Sequence, residues 1–315
     1  MLRQRTGAAR FVPAPVAILA ALVACAPASA AAPLHLVNRA RPAAASTATP
    51  ALTTYGGSTS QDAPFALIVS KDHRRLTRLL LHADAPCSDG SGATESGQAS
   101  IEPPGGPRGG GRNLFVGDRL PRSGSFRIKG SAMEGYGGTI YGKLSETLAG
   151  RVKGNRAKGT FRMTVQVIDA NTGAVQATCD TGPLSWHTAA VPGKVYAGLT
   201  GGGRPVVVAL TPDRGMVSDL RIGWDATCQP EGGFLVADHL GNFLVDTAGT
   251  FGHPFDAGPF AGPDGSSIAL HYALAGRLTA TRATGTFAAT MTQTAADGTV
   301  QTTCDRSLEH WSAVS

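Results

Sequence analysis

Residues 148–161 (LAGRVKGNRAKGTF) return as residues 274–287 (LAGRLTATRATGTF), and the correspondence continues in both directions. Downstream, 175–180 (VQATCD) returns as 300–305 (VQTTCD), and a tryptophan follows seven residues past each cysteine. Upstream, Tyr55-x-Gly57-x-Thr59 returns as Tyr196-x-Gly198-x-Thr200, and Asp84-Ala85-x-Cys87 as Asp225-Ala226-x-Cys228. A repeat on this scale constrains a chain more than any local signal, because each copy has to build and close the same core. The chain therefore holds one domain twice. Residues common to both copies answer first to the fold, and residues that differ are where a function private to one copy would reside.

The N-terminus reads as an export signal over residues 1–30. Arg3, Arg5 and Arg10 form a positive region, 11–24 is a short apolar stretch, and Ala28-Ser29-Ala30 offers a small-residue cleavage site. The stretch is too short, and too broken by Pro13 and Pro15, to span a bilayer, and no later segment approaches the roughly 18 apolar residues that a span needs. Leu22-Val23-Ala24-Cys25 also resembles a bacterial lipobox, in which Cys25 would be lipid-modified and become the mature N-terminus. Cleavage after Ala30 and lipidation at Cys25 both stay open, and both place the folded part outside the cytoplasm, secreted or anchored to the cell envelope. Residues 31–54 are rich in Ala, Pro, Ser and Thr without periodicity and read as a linker. The repeats then occupy 55–192 and 193–315, each long enough for its own core.

Beyond Cys25 the cysteines are Cys87, Cys179, Cys228 and Cys304. Four cysteines allow three pairings, and the duplication selects Cys87–Cys179 with Cys228–Cys304, since a single ancestral domain carried its own pair. A four-cysteine metal site would need C-x-x-C spacing, which is absent. Both copies show short apolar or alternating runs, separated by Gly, Pro, Asn-Gly and Asp-Gly signals at strand-sized intervals. Leu220, Ile222 and Trp224 alternate with Asp219, Arg221 and Gly223, and the same parity returns at Leu79, Leu81 and Ala83. Asn171-Thr172-Gly173 and Asp297-Gly298 read as hairpin turns. Asp169-x-Asn171-x-Gly173 has a superficial likeness to a calcium loop but lacks the glutamate that completes the ligand set. No stretch of helical length has a capped 3.6-residue pattern. The expected class is all-β: two tandem homologous sandwiches or barrels, each with one internal disulfide. Repeat 1 also has an extra Gly/Pro/Arg-rich segment, 88–112, expected to be a loop.

The motifs of serine hydrolases, zinc peptidases, P-loops and dinucleotide folds are all missing, so no catalytic residue, metal site or cofactor is expected. Two shared features invite a functional reading. The aspartates Asp84, Asp180, Asp225 and Asp305 flank the cysteines, and paired carboxylates can serve as general acid and base. Short Asp side chains also hydrogen-bond strand ends, and their presence in both copies favours that role. Trp186 and Trp311 either close each core or, if exposed, stack on sugars.

The difference between the copies is charge. Repeat 1 has 16 basic and 11 acidic residues, net +5, whereas repeat 2 has 7 and 11, net −4. Arg151, Lys153, Arg156, Lys158 and Arg162 outline a basic hairpin around Gly154-Asn155, and the positions of Lys153 and Lys158 are Thr279 and Thr284 in repeat 2. Strand alternation would gather these cations on one outer face, suited to a polyanion such as a cell-wall or other extracellular polymer, without specific nucleic-acid recognition. The oligomeric state is not readable.

The Tyr-x-Gly start, the paired glycines before Thr-Phe and the closing Cys-Asp with its distant tryptophan resemble uncharacterised secreted duplicated β-domain proteins of high-GC Gram-positive bacteria. That resemblance covers both repeats, implies compartment and architecture, and brings no activity with it. The expected function is a non-enzymatic extracellular or cell-envelope binding module, with repeat 1 favouring polyanions. The alternatives are an envelope-polymer hydrolase using the paired aspartates, and a self-associating structural surface protein.

Overall fold

A computed structural model of the chain describes residues 52–102, 114–116, 119–137, 139–230, 232–262 and 265–315. The expected signal, Cys25 and residues 31–51 of the expected linker lie outside the described residues, while its last three, Leu52–Thr54, belong to the first strand, so the linker ends earlier than expected. Every regular element is a strand, and no helix long and apolar enough to cross a membrane is present among the described residues. Repeat 1 comprises β1 (Leu52–Thr59), β2 (Pro64–Ser70), β3 (Leu76–Pro86), β4 (Gly92–Glu102), β5 (Leu114–Val116), β6 (Ser125–Gly137), β7 (Ile140–Lys153), β8 (Arg156–Asp169), β9 (Val175–Asp180) and β10 (Leu184–Ala189). Repeat 2 comprises β11 (Val195–Thr200), β12 (Pro205–Leu210), β13 (Met216–Gln229), β14 (Gly233–Leu240), β15 (Phe243–Leu244) and β16 (Thr250–Phe251). It continues with β17 (Pro254–Ala261), β18 (Ser267–Leu278), β19 (Arg282–Thr294) and β20 (Val300–Val314).

Each repeat is one ten-stranded sheet, antiparallel between neighbours except for the parallel β4–β5 pair, and in repeat 2 no ladder among the described residues joins β14 or β15 to β16 or β17. In repeat 1 the order runs β1 to β8 in sequence, and β10 pairs with both β8 and β1, so the sheet closes on itself as a barrel. Closure removes the open edges that a flat sheet would leave. The β1–β2 hairpin is short, and β3 runs past it to meet β9 at the Cys87–Cys179 bridge. Repeat 2 repeats the device: β13 outruns β12 and pairs with β20 at Cys228 and Cys304. Each disulfide therefore ties the two strands that meet where the short hairpin has ended. Both bridges are the pairs that the duplication selects.

The copies differ in how the last strand runs. β20 is continuous, whereas Gly182-Pro183 interrupts its counterpart and splits it into β9 and β10. Proline cannot donate to the ladder, which explains the break. Sequence reading placed a loop over 88–112, but Gly92–Glu102 is strand β4, paired with β3 and equivalent to β14. Residues 103–112 of that expected loop lie outside the described residues, and the alternation of small polar and apolar residues in GATESGQASIE is too weak to announce a strand by itself.

Two recurring motifs turn out to be one packing unit. Trp186 lies opposite Gly159 across β8–β10, and Trp311 lies opposite Gly285 across β19–β20. A Cβ at Gly159 would sit 2.6 Å from the Trp186 ring and one at Gly285 would sit 2.5 Å from that of Trp311, so each glycine makes room for its tryptophan. The next inward residues, Phe161 and Phe287, are fully buried in the two cores, each worth about 1.5–3 kcal/mol of burial.

A third cluster joins the repeats. Ala66, Ile68 and Leu80, on the outer face of β2 and β3, pack against Ala197 and Val207 of β11 and β12. Gly56 allows the approach: a Cβ there would lie 2.9 Å from Val195 Cγ1. Ala66 and Val207 are equivalent positions of the two copies, as are Gly56 and Ala197, so the copies meet through the same surface. Polar contacts seal the rim. Arg221 is buried and pairs with the Asp62 carboxylate from the β1–β2 turn, while His239 Nδ1 lies 2.9 Å from the other Asp62 oxygen. Burial works to raise the Asp62 carboxyl, but the hydrogen bonds from Arg221 and His239 outweigh it and hold it below the usual carboxylate range.

Candidate functional site

In β7 and β8 the inward positions include Leu144, Leu148, Val152, Ala157 and Phe161, all buried, so strand parity turns the charged residues between them outward. Arg151 pairs with Lys158, whose neighbour on the far side is His187 of β10. Lys153 pairs with Arg156 at the end of the hairpin. On β6, Arg127 and Lys129 are exposed on the same side, with Lys129 opposite Thr147 and Thr147 opposite Arg162. Lys143 adds a further exposed cation on β7. The hairpin stripe is thus part of a wider face that extends over β6, β7, β8 and β10. Arg127, Lys129 and Lys143 escaped sequence reading, although the alternation in Phe126-Arg127-Ile128-Lys129 was an available signal.

Placement separates the five stripe residues. Arg162 is committed: its guanidinium grips Asp180 through Nε (3.0 Å to Oδ1) and through a second nitrogen on Oδ2. That same contact holds the Asp180 carboxyl below its ordinary range. Arg151 gives its Nε to the Ser123 carbonyl at 3.2 Å. Lys153, Arg156 and Lys158 are exposed, and no salt bridge joins them to a carboxylate among the described residues. Cation opposes cation at two consecutive same-face pairs, Arg151 with Lys158 and Lys153 with Arg156. Like charges directly across a ladder destabilise it. Repeat 2 has relieved both pairs, since Arg277 faces Thr284 and Arg282 closes a turn with Thr279.

The aspartates beside the bridges are each engaged. Asp84 accepts the Thr94 hydroxyl at 2.7 Å and lies 3.4 Å from His82 Nε2. Burial alone would raise its carboxyl, yet the His82 and Thr94 hydrogen bonds carry it below the usual range. Asp225 sits between Arg204 and Arg306, each at 3.4 Å, and Asp305 accepts the Thr290 hydroxyl at 3.2 Å. Asp84 and Asp180 are therefore kept ionised, whereas a general acid needs a carboxyl that holds its proton. In the 169–173 turn Asp169 Oδ1 accepts the Asn171 and Thr172 amides, so this carboxylate organises a hairpin.

Trp186 and Trp311 are buried, at 2% and 3% exposure, which excludes sugar stacking on them. Repeat 2 also holds a half-buried carboxylate at a position that is glycine in the other copy. Asp238 projects from β14 and accepts Trp224 Nε1 at 2.6 Å and Tyr272 Oη at 2.9 Å. Burial pushes its carboxyl up despite those two donors, and burial together with the adjacent carboxylate raises the Tyr272 hydroxyl. The equivalent positions in repeat 1 are Gly97, Ala83 and Glu146. Comparison of the chain with protein-family models, with curated proteins and with solved structures found no match.

Proposed function

We propose that this protein is a non-enzymatic binding module of the extracellular space or cell envelope, and that the outer face of β6, β7, β8 and β10 holds an anionic surface polymer. The observation that carries this reading is the pair of like-charge oppositions, Arg151 with Lys158 and Lys153 with Arg156, on a face whose neighbouring carboxylate, Asp180 of β9, is already engaged by Arg162. They oppose the ladder that contains them, and sequences break local rules of this kind where a binding function compensates. A polymer bearing regularly spaced phosphate, sulfate or carboxylate groups supplies the missing charge and releases its own counterions on binding. Two disulfides are compatible with an oxidising compartment outside the cytoplasm. A lipid anchor at Cys25 would hold the module at the membrane surface, and cleavage after Ala30 would release it.

The test is salt-dependent retention on isolated cell wall and on immobilised dextran sulfate. Lys153→Thr combined with Lys158→Thr, the residues of repeat 2, should lower affinity about tenfold and flatten the dependence on salt. Retention unchanged by the double substitution overturns the reading. Concentration-dependent self-association that disappears at high salt, with no retention on either polymer, would establish the structural alternative in its place.

A further inference from the structure

The basic face ends at a cleft. Three segments frame it at the end of the repeat 1 barrel: the β2–β3 turn with Asp72, His73 and Arg74, the 119–124 turn with Arg122, and the β7–β8 tip with Asn155. The space measures about 870 Å³, within the range of small-molecule sites. The frame is tied by main-chain hydrogen bonds, Leu120 N to Arg74 O at 2.7 Å and Val152 N to Gly124 O at 2.9 Å. Gly124 has φ +73°, and a Cβ there would fall 2.0 Å from the Val152 carbonyl, so the wall is shaped by a residue that only glycine can supply. Tyr55 forms part of the floor and donates its hydroxyl to the Gly154 carbonyl at 2.8 Å. Its single proton being used there, the 3.1 Å contact with His73 is a donation from Nδ1, and Nε2 is the ring's remaining polar atom.

The charge of the cleft is unbalanced. Arg74 and Arg122 line it against a single carboxylate, Asp72, whose charge interacts with Arg74, and no salt bridge joins either arginine to a carboxylate among the described residues. Asp72 is taken up inside its own turn, accepting the Ser70 hydroxyl at 2.6 Å and the Arg74 amide at 3.1 Å. Repeat 2 dismantles this arrangement residue by residue. Gly215 stands in place of Arg74, Thr247 in place of Arg122 and Asp246 in place of Pro121. In place of His73 stands Arg214, whose guanidinium folds back to the Thr279 carbonyl, where Tyr196 also donates. His73 and Arg214 share a positive φ, 53° and 64°, so the backbone is conserved while the chemistry is not.

We infer that this cleft is a subsite for one anionic end group on a sugar-sized body. Arg74 and Arg122 would hold its phosphate or carboxylate, with Thr53 and Asn155 available to its hydroxyls. The inference rests on the polymer-binding reading: Lys153 and Arg156 flank the Gly154-Asn155 tip that lines the cleft, so a chain lying on the face would deliver its terminus there. A flat charged face reads charge density alone, whereas an open cleft framed by three turns at its end adds shape that a terminus can occupy.

The test uses the intact chain and two classes of probe, a long polyanion (dextran sulfate) and small ones (a hexose phosphate, a hexuronate and the neutral hexose). Arg74→Ala with Arg122→Thr changes exposed residues only. It should weaken the small anion tenfold or more and the long polyanion less than about threefold. Lys153→Thr with Lys158→Thr should do the reverse. Preference between phosphate and uronate identifies the end group, and the neutral hexose should bind neither protein. If dextran sulfate binds the unmodified chain and no small anion does, the cleft is overturned and the face stands. If the arginine pair weakens both classes equally, the cleft is merely part of the general field and the subsite is overturned. If nothing binds, both readings fall together.

Discussion

The two repeats share a ten-stranded sheet, a disulfide, a glycine-backed tryptophan and a positive-φ turn, and they differ in what they place on the outside and at the centre. Repeat 1 carries opposed cations on its outer sheet and a cationic cleft at its end. Repeat 2 keeps Arg277 and Arg282 but has threonine in place of both stripe lysines, and Arg214, which replaces His73, folds onto a carbonyl. Conversely, repeat 2 carries a half-buried aspartate bonded to Trp224 and Tyr272, where repeat 1 has Gly97, Ala83 and the buried Glu146. Charge at exposed positions is thus free to diverge after duplication because the core does not depend on it. A buried polar group changes only as a set, since each donor inside needs its acceptor.

The disulfides give the sharpest expectation of likeness. They close spans of 92 and 76 residues, for which the loop-entropy model assigns about 4.5 kcal/mol each. Replacing Cys87 with Cys179, or Cys228 with Cys304, by alanine should lower the urea stability of either repeat by nearly the same amount. A much larger loss in one repeat would show that the two bridges do unlike work. Asp238→Ala should break the likeness instead. It leaves the Trp224 and Tyr272 donors unpaired in the core, at a cost of about 2–5 kcal/mol, and repeat 2 should unfold first in denaturant monitored by tryptophan fluorescence.

Smaller effects address the surfaces. Thr279→Lys with Thr284→Lys rebuilds the opposed cations on repeat 2 and should raise retention on dextran sulfate about fivefold, less than the loss on removing them from repeat 1 because Arg127, Lys129 and Lys143 have no partners there. The interface between copies should respond to acid. Asp62 has its folded carboxyl held low, so its contribution is present above the ordinary unfolded value of about 3.9 and fades as pH falls through the lower folded value. Below about pH 4 contact between the repeats should loosen, read as faster amide exchange in β2 and β12. Asp62→Asn should make that loosening independent of pH, and an unchanged acid response in this variant would assign it elsewhere.

Much of the scaffold was legible because duplication supplies an internal control. Cys87, Cys179, Cys228 and Cys304 could be paired by requiring each copy to be self-sufficient, and the alternation at Leu220, Ile222 and Trp224 does mark an inward face. The stripe was legible in part, since parity alone puts Arg151, Lys153, Arg156 and Lys158 outside. What escaped was the second buried face. Arg221 reads as a solvent-facing member of an alternating strand, yet it is buried against Asp62. The signal was present in β2, where Phe65 to Val69 is apolar without alternation, as strands covered on both sides tend to be. Nothing in the pattern said which surface would cover it.

Sequence alone determined the all-β class, the two copies, their bridges and their opposite charge, because periodicity and duplication are properties of the chain itself. Only tertiary structure decided that the repeat 1 sheet closes into a barrel while that of repeat 2 has no ladder between β14 and β16 among the described residues. It alone set Lys153 against Arg156 and Arg151 against Lys158, committed Arg162 to Asp180, and brought Arg74, Arg122 and the hairpin tip around one cleft. Register and closure are fixed by contacts between residues far apart in the chain, and no local pattern encodes which distant strand will be the neighbour.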